Sequence, residues 1–233
     1  MNIALILAGG TGTRTNGNKP KQFMEINGVP MLVHTVCRFK QHDNIDYVCV
    51  VVPEAYIQDT KELLLQYNQP ADAVIAGGSD RRRSSYNGIK YLSDTFSQED
   101  IVLIHDAARP NICEKIITDN ITAARQVGGA VTAVTAQDTL LIGDADKNVA
   151  GYVNRENAYI VQTPQSFKLG LILEAHEQVN ALISEGEIDP LSITDDSRLA
   201  VITDKKVAIV AGDKFNIKVT TVEDFGIICN IMK

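Results

Sequence analysis

The chain is expected to fold as a Rossmann-like α/β domain, a mainly parallel sheet with helices on both faces. Three features predict it: short apolar runs alternate with longer amphipathic stretches, a glycine-rich loop follows the first run, and the composition is that of an ordinary globular protein. The 233 residues are 45% hydrophobic and 22% charged, enough for a continuous core without disulfide or metal staples. Disorder and small disulfide scaffolds are excluded, and residues 1–233 read as one domain.

Strands are expected at Ile3 to Leu7, Tyr47 to Val52, Ala73 to Ala76, Ile101 to His105, Gly129 to Thr135 and Val207 to Val210. Helical periodicity runs through Pro30 to Phe39, Ala55 to Tyr67, Ser84 to Leu92 and Glu114 to Gln126. The stretch from Gln137 to Thr163 breaks this rhythm, with Gly143, Asp144, Asp146, Lys147 and Asn148 forming a turn between two short runs. It predicts a β-hairpin arm over about residues 137–157. Such an arm is a dimer contact, part of a site, or a solvated surface hairpin.

Apolar runs such as Tyr47 to Pro53 are far short of the roughly 20 residues a membrane helix needs, so no membrane association is expected. Met1-Asn2-Ile3-Ala4-Leu5 lacks a basic leader region, which points to the cytoplasm. Cys37, Cys49, Cys113 and Cys229 form no C-x-x-C pair and mostly sit in apolar stretches, as small hydrophobes do. With 22 Lys+Arg against 29 Asp+Glu the net charge is −7, which argues against a nucleic-acid partner while leaving room for a local basic pocket that takes a small phosphate.

The segment Leu7-Ala8-Gly9-Gly10-Thr11-Gly12-Thr13-Arg14 follows the first strand, at the carboxyl edge where open parallel sheets bind ligands. It is not the dinucleotide fingerprint, because Thr15 replaces the third glycine. Nor is it a P-loop: Gly12 and Gly17 have the spacing, but Asn18-Lys19 stands where Lys-Ser/Thr is required. What remains is a glycine loop with Arg14 and then Lys19-Pro20-Lys21-Gln22-Phe23. Glycines admit backbone N–H groups to phosphate oxygens, and Arg14 and Lys21 neutralise charge on a phosphoryl centre under attack. That is a nucleotidyl-transfer constellation, although a loop of this kind also occurs as a tight turn with solvated basic residues.

Further segments follow in order: Gly77-Gly78-Ser79-Asp80-Arg81 with Ser84, His105-Asp106-Ala107-Ala108-Arg109-Pro110, Asp138-Thr139, Arg155, Gln162-Thr163-Pro164-Gln165-Ser166-Phe167, Thr194-Asp195-Asp196 and Asn216-Ile217-Lys218-Val219-Thr220-Thr221. Together they resemble, over nearly the whole chain, the cytidylyltransferases of polyol phosphates, which act on 2-C-methyl-D-erythritol 4-phosphate or on ribitol 5-phosphate. The resemblance implies that Arg14, Lys21 and Lys218 surround the α-phosphate of CTP, that Gly10, Thr11, Gly12 and Thr13 close on the nucleotide, and that Ala8, Gly9, Gly78, Ser79 and Ser84 read cytosine. Ser79 stands where the related pattern often has an acidic residue. Asp106, Arg109, Thr139, Arg155 and Thr194 match positions that hold the polyol phosphate. Asp106 is also suited to Mg²⁺ as a hard oxygen donor. A homodimer is implied, with Thr139 and Arg155 reaching a neighbouring site.

Marks of the two acceptors conflict. Asp138-Thr139-Leu140-Leu141 puts an apolar residue where the methylerythritol enzymes usually carry lysine. The opening Leu7-Ala8-Gly9-Gly10 and the closing Thr220-Thr221-Val222-Glu223-Asp224 also look more like the ribitol enzymes, whereas the segment from His105 to Pro110 has the methylerythritol form. His105 reads as structural, a satisfied residue at a strand end. Of Arg81-Arg82-Arg83, a solvated helix start by composition, only Arg81 belongs to the matched pattern.

Overall fold

In the computed structural model, residues 1–9 and 20–233 are described. Seven strands form the central sheet. They are β1 (Asn2–Leu7), β4 (Tyr47–Val52), β5 (Ala73–Ala76), β6 (Ile101–Asp106), β7 (Gly129–Thr135), β10 (Tyr159–Lys168) and β11 (Ala208–Ala211), in the order β11-β7-β10-β6-β1-β4-β5. Two small antiparallel pairs lie outside it: β2 (Glu25–Ile26) with β3 (Val29–Pro30), and β8 (Leu141–Gly143) with β9 (Val149–Tyr152). The helices are α1 (Met31–Lys40), α2 (Ile57–Gln66), α3 (Arg81–Ser93), α4 (Glu114–Val127), α5 (Leu169–Ser184), α6 (Asp196–Ile202) and α7 (Val222–Ile231).

Every residue of β1 and β6 is buried, because both faces of the sheet are covered. Ala4, Ile6, Val48, Val50 and Leu103 pack on one side with residues of α1 and α4, and Ile3, Leu5, Val51, Val102 and Ile104 pack on the other with α3, α5 and α6. Gly88 lets α3 lie close on β1, since a Cβ there would stand 2.6 Å from Leu5 Cδ1. From β1 the chain winds outward through β4 to β5 and then returns to β6 on the far side of β1. The carboxyl ends of β1 and β6, where Leu7 pairs with Asp106, are therefore a topological switch point and the expected ligand mouth.

The one central strand that periodicity misses is β10. It runs antiparallel between β6 and β7 and begins inside the polar stretch read as arm. Its Gln162, Thr163, Gln165 and Ser166 are all buried, so it lacks the apolar signature of its neighbours. These side chains bond inside the fold: Thr163 Oγ1 meets His105 Nδ1 at 3.1 Å and accepts from Asp106 N at 3.1 Å. Ser166 Oγ donates to Asn120 Oδ1 at 3.2 Å. The hairpin itself is shorter than expected, closing between Leu141 and Tyr152, while Arg155–Asn157 is a single 3₁₀ turn. Helix α3 begins at Arg81, three residues before the expected Ser84, because Asp80 caps it by accepting from Arg83 N at 2.8 Å. Among the described residues no helix is long and apolar enough to cross a membrane.

Candidate active site

Asp106 ends β6 at the switch point, and two cations share it. Lys218 Nζ lies 2.6 Å from Oδ2, and Arg81 Nε lies 3.2 Å from Oδ1. Burial pushes the Asp106 carboxyl up, but attraction to Arg81 and then Lys218 outweighs it and holds the group well below the ordinary carboxylate range. Arg81 reaches further, its NH1 donating to Asp196 Oδ2 at 2.7 Å. Asp196 is 1% exposed; its other oxygen accepts from Ser85 Oγ at 2.5 Å and lies 3.6 Å from His176 Nε2. Burial raises this carboxyl too, and Arg81 first and His176 next bring it below its usual range.

Lys218 arrives from the far end of the chain. The capping box of Thr221 and Asp224 starts α7, whose Phe225, Ile228 and Cys229 pack with Ile26 and Met31. Val219, just before the cap, is bound through its N–H to Ala108 O at 2.8 Å and through its carbonyl to Lys21 Nζ at 3.2 Å. Lys21, far from Lys218 in sequence, is thus tied to Val219, the residue that follows Lys218. Of the other residues expected in the transfer step and at the nucleotide, Gly10, Thr11, Gly12, Thr13 and Arg14 lie outside the described residues.

Ala8 and Gly9 follow β1 at this mouth, and Ser84 on α3 faces them: a Cβ on Gly9 would stand 3.5 Å from Ser84 Oγ. Ser84 Oγ donates to Asp80 O at 2.8 Å and accepts from Gly78 N at 3.0 Å. Gly77 and Gly78 are close-packed, since a Cβ on either would collide with Ser84 or Arg83. Ser79 is exposed, between Asp80 and the Arg83 guanidinium. Thr194 lines a small pocket with Arg81, Arg82, Ile193, Asp195 and Asp196.

Arg109, Thr139 and Arg155 are placed differently. Arg109 is buried and gives NH1 to Asn216 O at 2.7 Å and NH2 to Val161 O at 3.4 Å, so it acts on Asp106 through its field rather than by contact. Thr139 and Arg155 are exposed at the base of the arm, where Arg155 NH1 donates to Gln137 O at 3.4 Å. Neither is joined to the Asp106 cluster by a hydrogen bond or ion pair among the described residues. His105 is buried as a structural residue: Nε2 meets Arg109 O at 3.0 Å, and burial pulls its pKa down to about 4.

Sequence reasoning placed Arg81 in the matched pattern but gave neither it nor Asp196 a role in the site. Both stood in quoted segments, but nothing in their spacing distinguishes Asp196, which is buried, from Asp195, which caps α6. A signal for Arg81 was present. Three arginines at a helix N-terminus oppose the helix dipole, so at least one needs an acidic partner from elsewhere.

A divalent cation finds one carboxylate here, since no group of three or more His, Cys, Asp or Glu side chains among the described residues is arranged to hold a metal. Asp106, whose two oxygens are engaged by Arg81 and Lys218, is the carboxylate here that could hold a Mg²⁺ bound mainly by phosphate oxygens and water.

A doubly wound sheet whose switch point gathers cations around one carboxylate defines an α/β enzyme that handles phosphate esters. The family model for IspD, 2-C-methyl-D-erythritol 4-phosphate cytidylyltransferase, matches residues 2–233, and the chain belongs to this family of cytidylyltransferases. Its relatives carry both acceptor names. The chain is 37% identical to a 2-C-methyl-D-erythritol 4-phosphate cytidylyltransferase of Thermosipho africanus over 96% of this chain and 95% of that one. It is 36% identical to a ribitol-5-phosphate cytidylyltransferase of Streptococcus agalactiae, over 97% and 92%. Among solved structures, the 4-diphosphocytidyl-2C-methyl-D-erythritol synthase of Anaerococcus prevotii superimposes with a TM-score of 0.82 at 28% identity, covering 100% of this chain and 98% of that one. The fold class expected from the sequence and the polyol-phosphate cytidylyltransferase resemblance both hold.

Proposed function

We propose that this cytidylyltransferase takes ribitol 5-phosphate as acceptor and makes CDP-ribitol and pyrophosphate. A phosphate oxygen of the acceptor attacks the α-phosphorus of CTP, the bond from that phosphorus to the bridging β-phosphate oxygen breaks, and pyrophosphate leaves. The nucleophile is already anionic, so no side chain need be activated as a base. Arg14, Lys21 and Lys218 neutralise charge as it builds on the α-phosphate. Ala8, Gly9, Gly78, Ser79 and Ser84 read cytosine, with Gly10 to Thr13 against the triphosphate. Asp106, Arg109, Thr194 and, from a second subunit, Thr139 and Arg155 hold the acceptor. Asp106 would hold a Mg²⁺ ion beside the triphosphate, and that ion would supply further neutralising charge. We place the reaction in the cytoplasm, the compartment of nucleoside triphosphates.

The observation that carries the acceptor assignment is Leu141. It is 55% exposed at the start of β8 and offers no donor where the methylerythritol pattern has a lysine. A linear pentitol has hydroxyls to make up binding elsewhere, whereas the branched tetritol loses a charge-assisted contact of roughly 1.5–3 kcal/mol, about 10- to 150-fold in kcat/KM. The second reading, 2-C-methyl-D-erythritol 4-phosphate, is favoured by the segment from His105 to Pro110. Pyrophosphate release with CTP, Mg²⁺ and each acceptor decides between them. The expected results are a preference for ribitol 5-phosphate, a shift toward the tetritol in Leu141→Lys, and little turnover with UTP. A wild-type preference for the tetritol would show that position 141 does not discriminate.

A further inference from the structure

Arg81 occupies an unfavourable place for a cation, the first turn of α3, and its neighbours make different use of their charges. Arg82 turns to Asn180 on α5 and Arg83 to Ser79, while Arg81 alone bridges two carboxylates on two other elements, Asp106 at the end of β6 and Asp196 at the start of α6. Both ends of the bridge are buried, Asp196 at 1% and Asp106 at 7% exposure; the Asp196 end is also held by Ser85, and the Asp106 end lies at the carboxyl end of β6. Asp106 divides its oxygens, Oδ1 to Arg81 and Oδ2 to Lys218.

We infer that Arg81 is a positioning residue for the cytidylyl transfer: seated on Asp196, its guanidinium fixes Asp106 at the mouth when Lys218 turns from that carboxylate to the phosphates. This rests on the role proposed for Lys218. Once Lys218 leaves, Oδ2 is released for the acceptor or cation side of the site. A carboxylate held by no second cation would follow Lys218 or rotate out of place. The planar fork of arginine spans both carboxylates, and a lysine ammonium is a point charge on a flexible stem that serves one at a time. Asp196 supplies the rigid end because its second oxygen is committed to Ser85.

The test compares Arg81→Lys, Asp196→Asn and the double variant, each checked by thermal melting, with kcat and KM measured for CTP and the acceptor. Misplacement of a site group by about 1 Å costs on the order of 10²-fold. Arg81→Lys should therefore lower kcat by about 10- to 100-fold with KM for CTP within about threefold. Asp196→Asn should do the same, and adding it to Arg81→Lys should cost less than about threefold more, since both act through one bridge. A folded Arg81→Lys with near-normal kcat overturns the inference even if Asp196→Asn fails to fold. So does a multiplicative loss in the double variant, or a raised KM at unchanged kcat, which would make Arg81 a direct substrate contact. A wild-type enzyme inactive with CTP and both acceptors would instead overturn the proposed reaction, and this role with it. Slow variants beside an active wild type speak to Arg81 alone.

Discussion

The mouth of the sheet and the hairpin arm are built on opposite terms. At the mouth, Asp106, Arg81, Lys218 and Asp196 balance one another within a single chain, and backbone contacts from β1, β6 and the segment before α7 fix them. On the arm, Leu141, Ile142, Val149 and Tyr152 are each more than half exposed. A two-stranded hairpin is marginal by itself, and a cluster of exposed apolar side chains on one is a surface that gains from being covered. The contrast separates what one chain completes, the charge balance at the mouth where we propose the reaction occurs, from what we assign to a second copy, the grip on the acceptor.

The largest effect should come from breaking the mouth. On the roles proposed above, Lys21→Ala and Lys218→Ala each remove a preorganised donor from the α-phosphate and should lower kcat by about 10²-fold or more while the protein still melts cooperatively. Lys21 also holds the Val219 carbonyl, so its loss should in addition loosen the segment bearing Lys218. Near-normal kcat in either variant takes that residue out of the reacting centre.

A smaller loss should follow from charging the arm. Ile142→Asp with Tyr152→Asp places one carboxylate on each face of the hairpin and should convert a dimer to monomer by light scattering, with kcat/KM down about 10- to 100-fold as the acceptor loses its grip. Mixed dimers sharpen the result. An Arg155→Ala chain paired with a Lys21→Ala chain should regain activity if Arg155 serves the neighbouring site; verified heterodimers that stay inactive would return Arg155 to its own chain.

The same two regions mark how far the sequence could be read. Strands β1, β4, β6 and β7 were legible because burial leaves nearly continuous hydrophobic runs, the edge strands β5 and β11 because their short runs are apolar although only partly buried, and the arm because Gly143, Asp144 and Asn148 mark its turn. Strand β10 was not, since Gln162, Thr163 and Gln165 give up the apolar pattern to bond with groups that only the assembled fold brings near. Gln162 Nε2 donates to Asp213 O at 2.8 Å, and Asn216 Nδ2 donates to Thr163 O at 2.9 Å. Residue types and motif order located Asp106, Lys21 and Lys218. The Arg81 bridge to Asp196 joins α3 to α6 across 115 positions, and no local period records it. Arg109, matched to the acceptor phosphate by resemblance, spends its guanidinium on two carbonyls.

The smallest expected effect lies beneath the mouth, at His105. Its Nε2–H donates to Arg109 O and its Nδ1 accepts from Thr163 Oγ1, a neutral ring satisfied on both sides and buried beside Phe39. With a pKa of about 4 in the fold against about 6.5 unfolded, the unfolded chain binds the extra proton between those values. The stabilisation is complete above about pH 6.5 and is lost as pH falls toward 4, amounting to about 3 kcal/mol. Asp106 and Asp196, whose carboxyls lie below their usual range, lose theirs only at lower pH, beneath the ordinary carboxylate values near 4. Urea unfolding from pH 7 to 4 should therefore show wild-type stability falling mainly through His105, and a folded His105→Gln variant should show a shallower fall. Equal slopes in the two proteins would mean that the ring is protonated in the fold and that the Arg109 and Thr163 contacts do not hold it neutral.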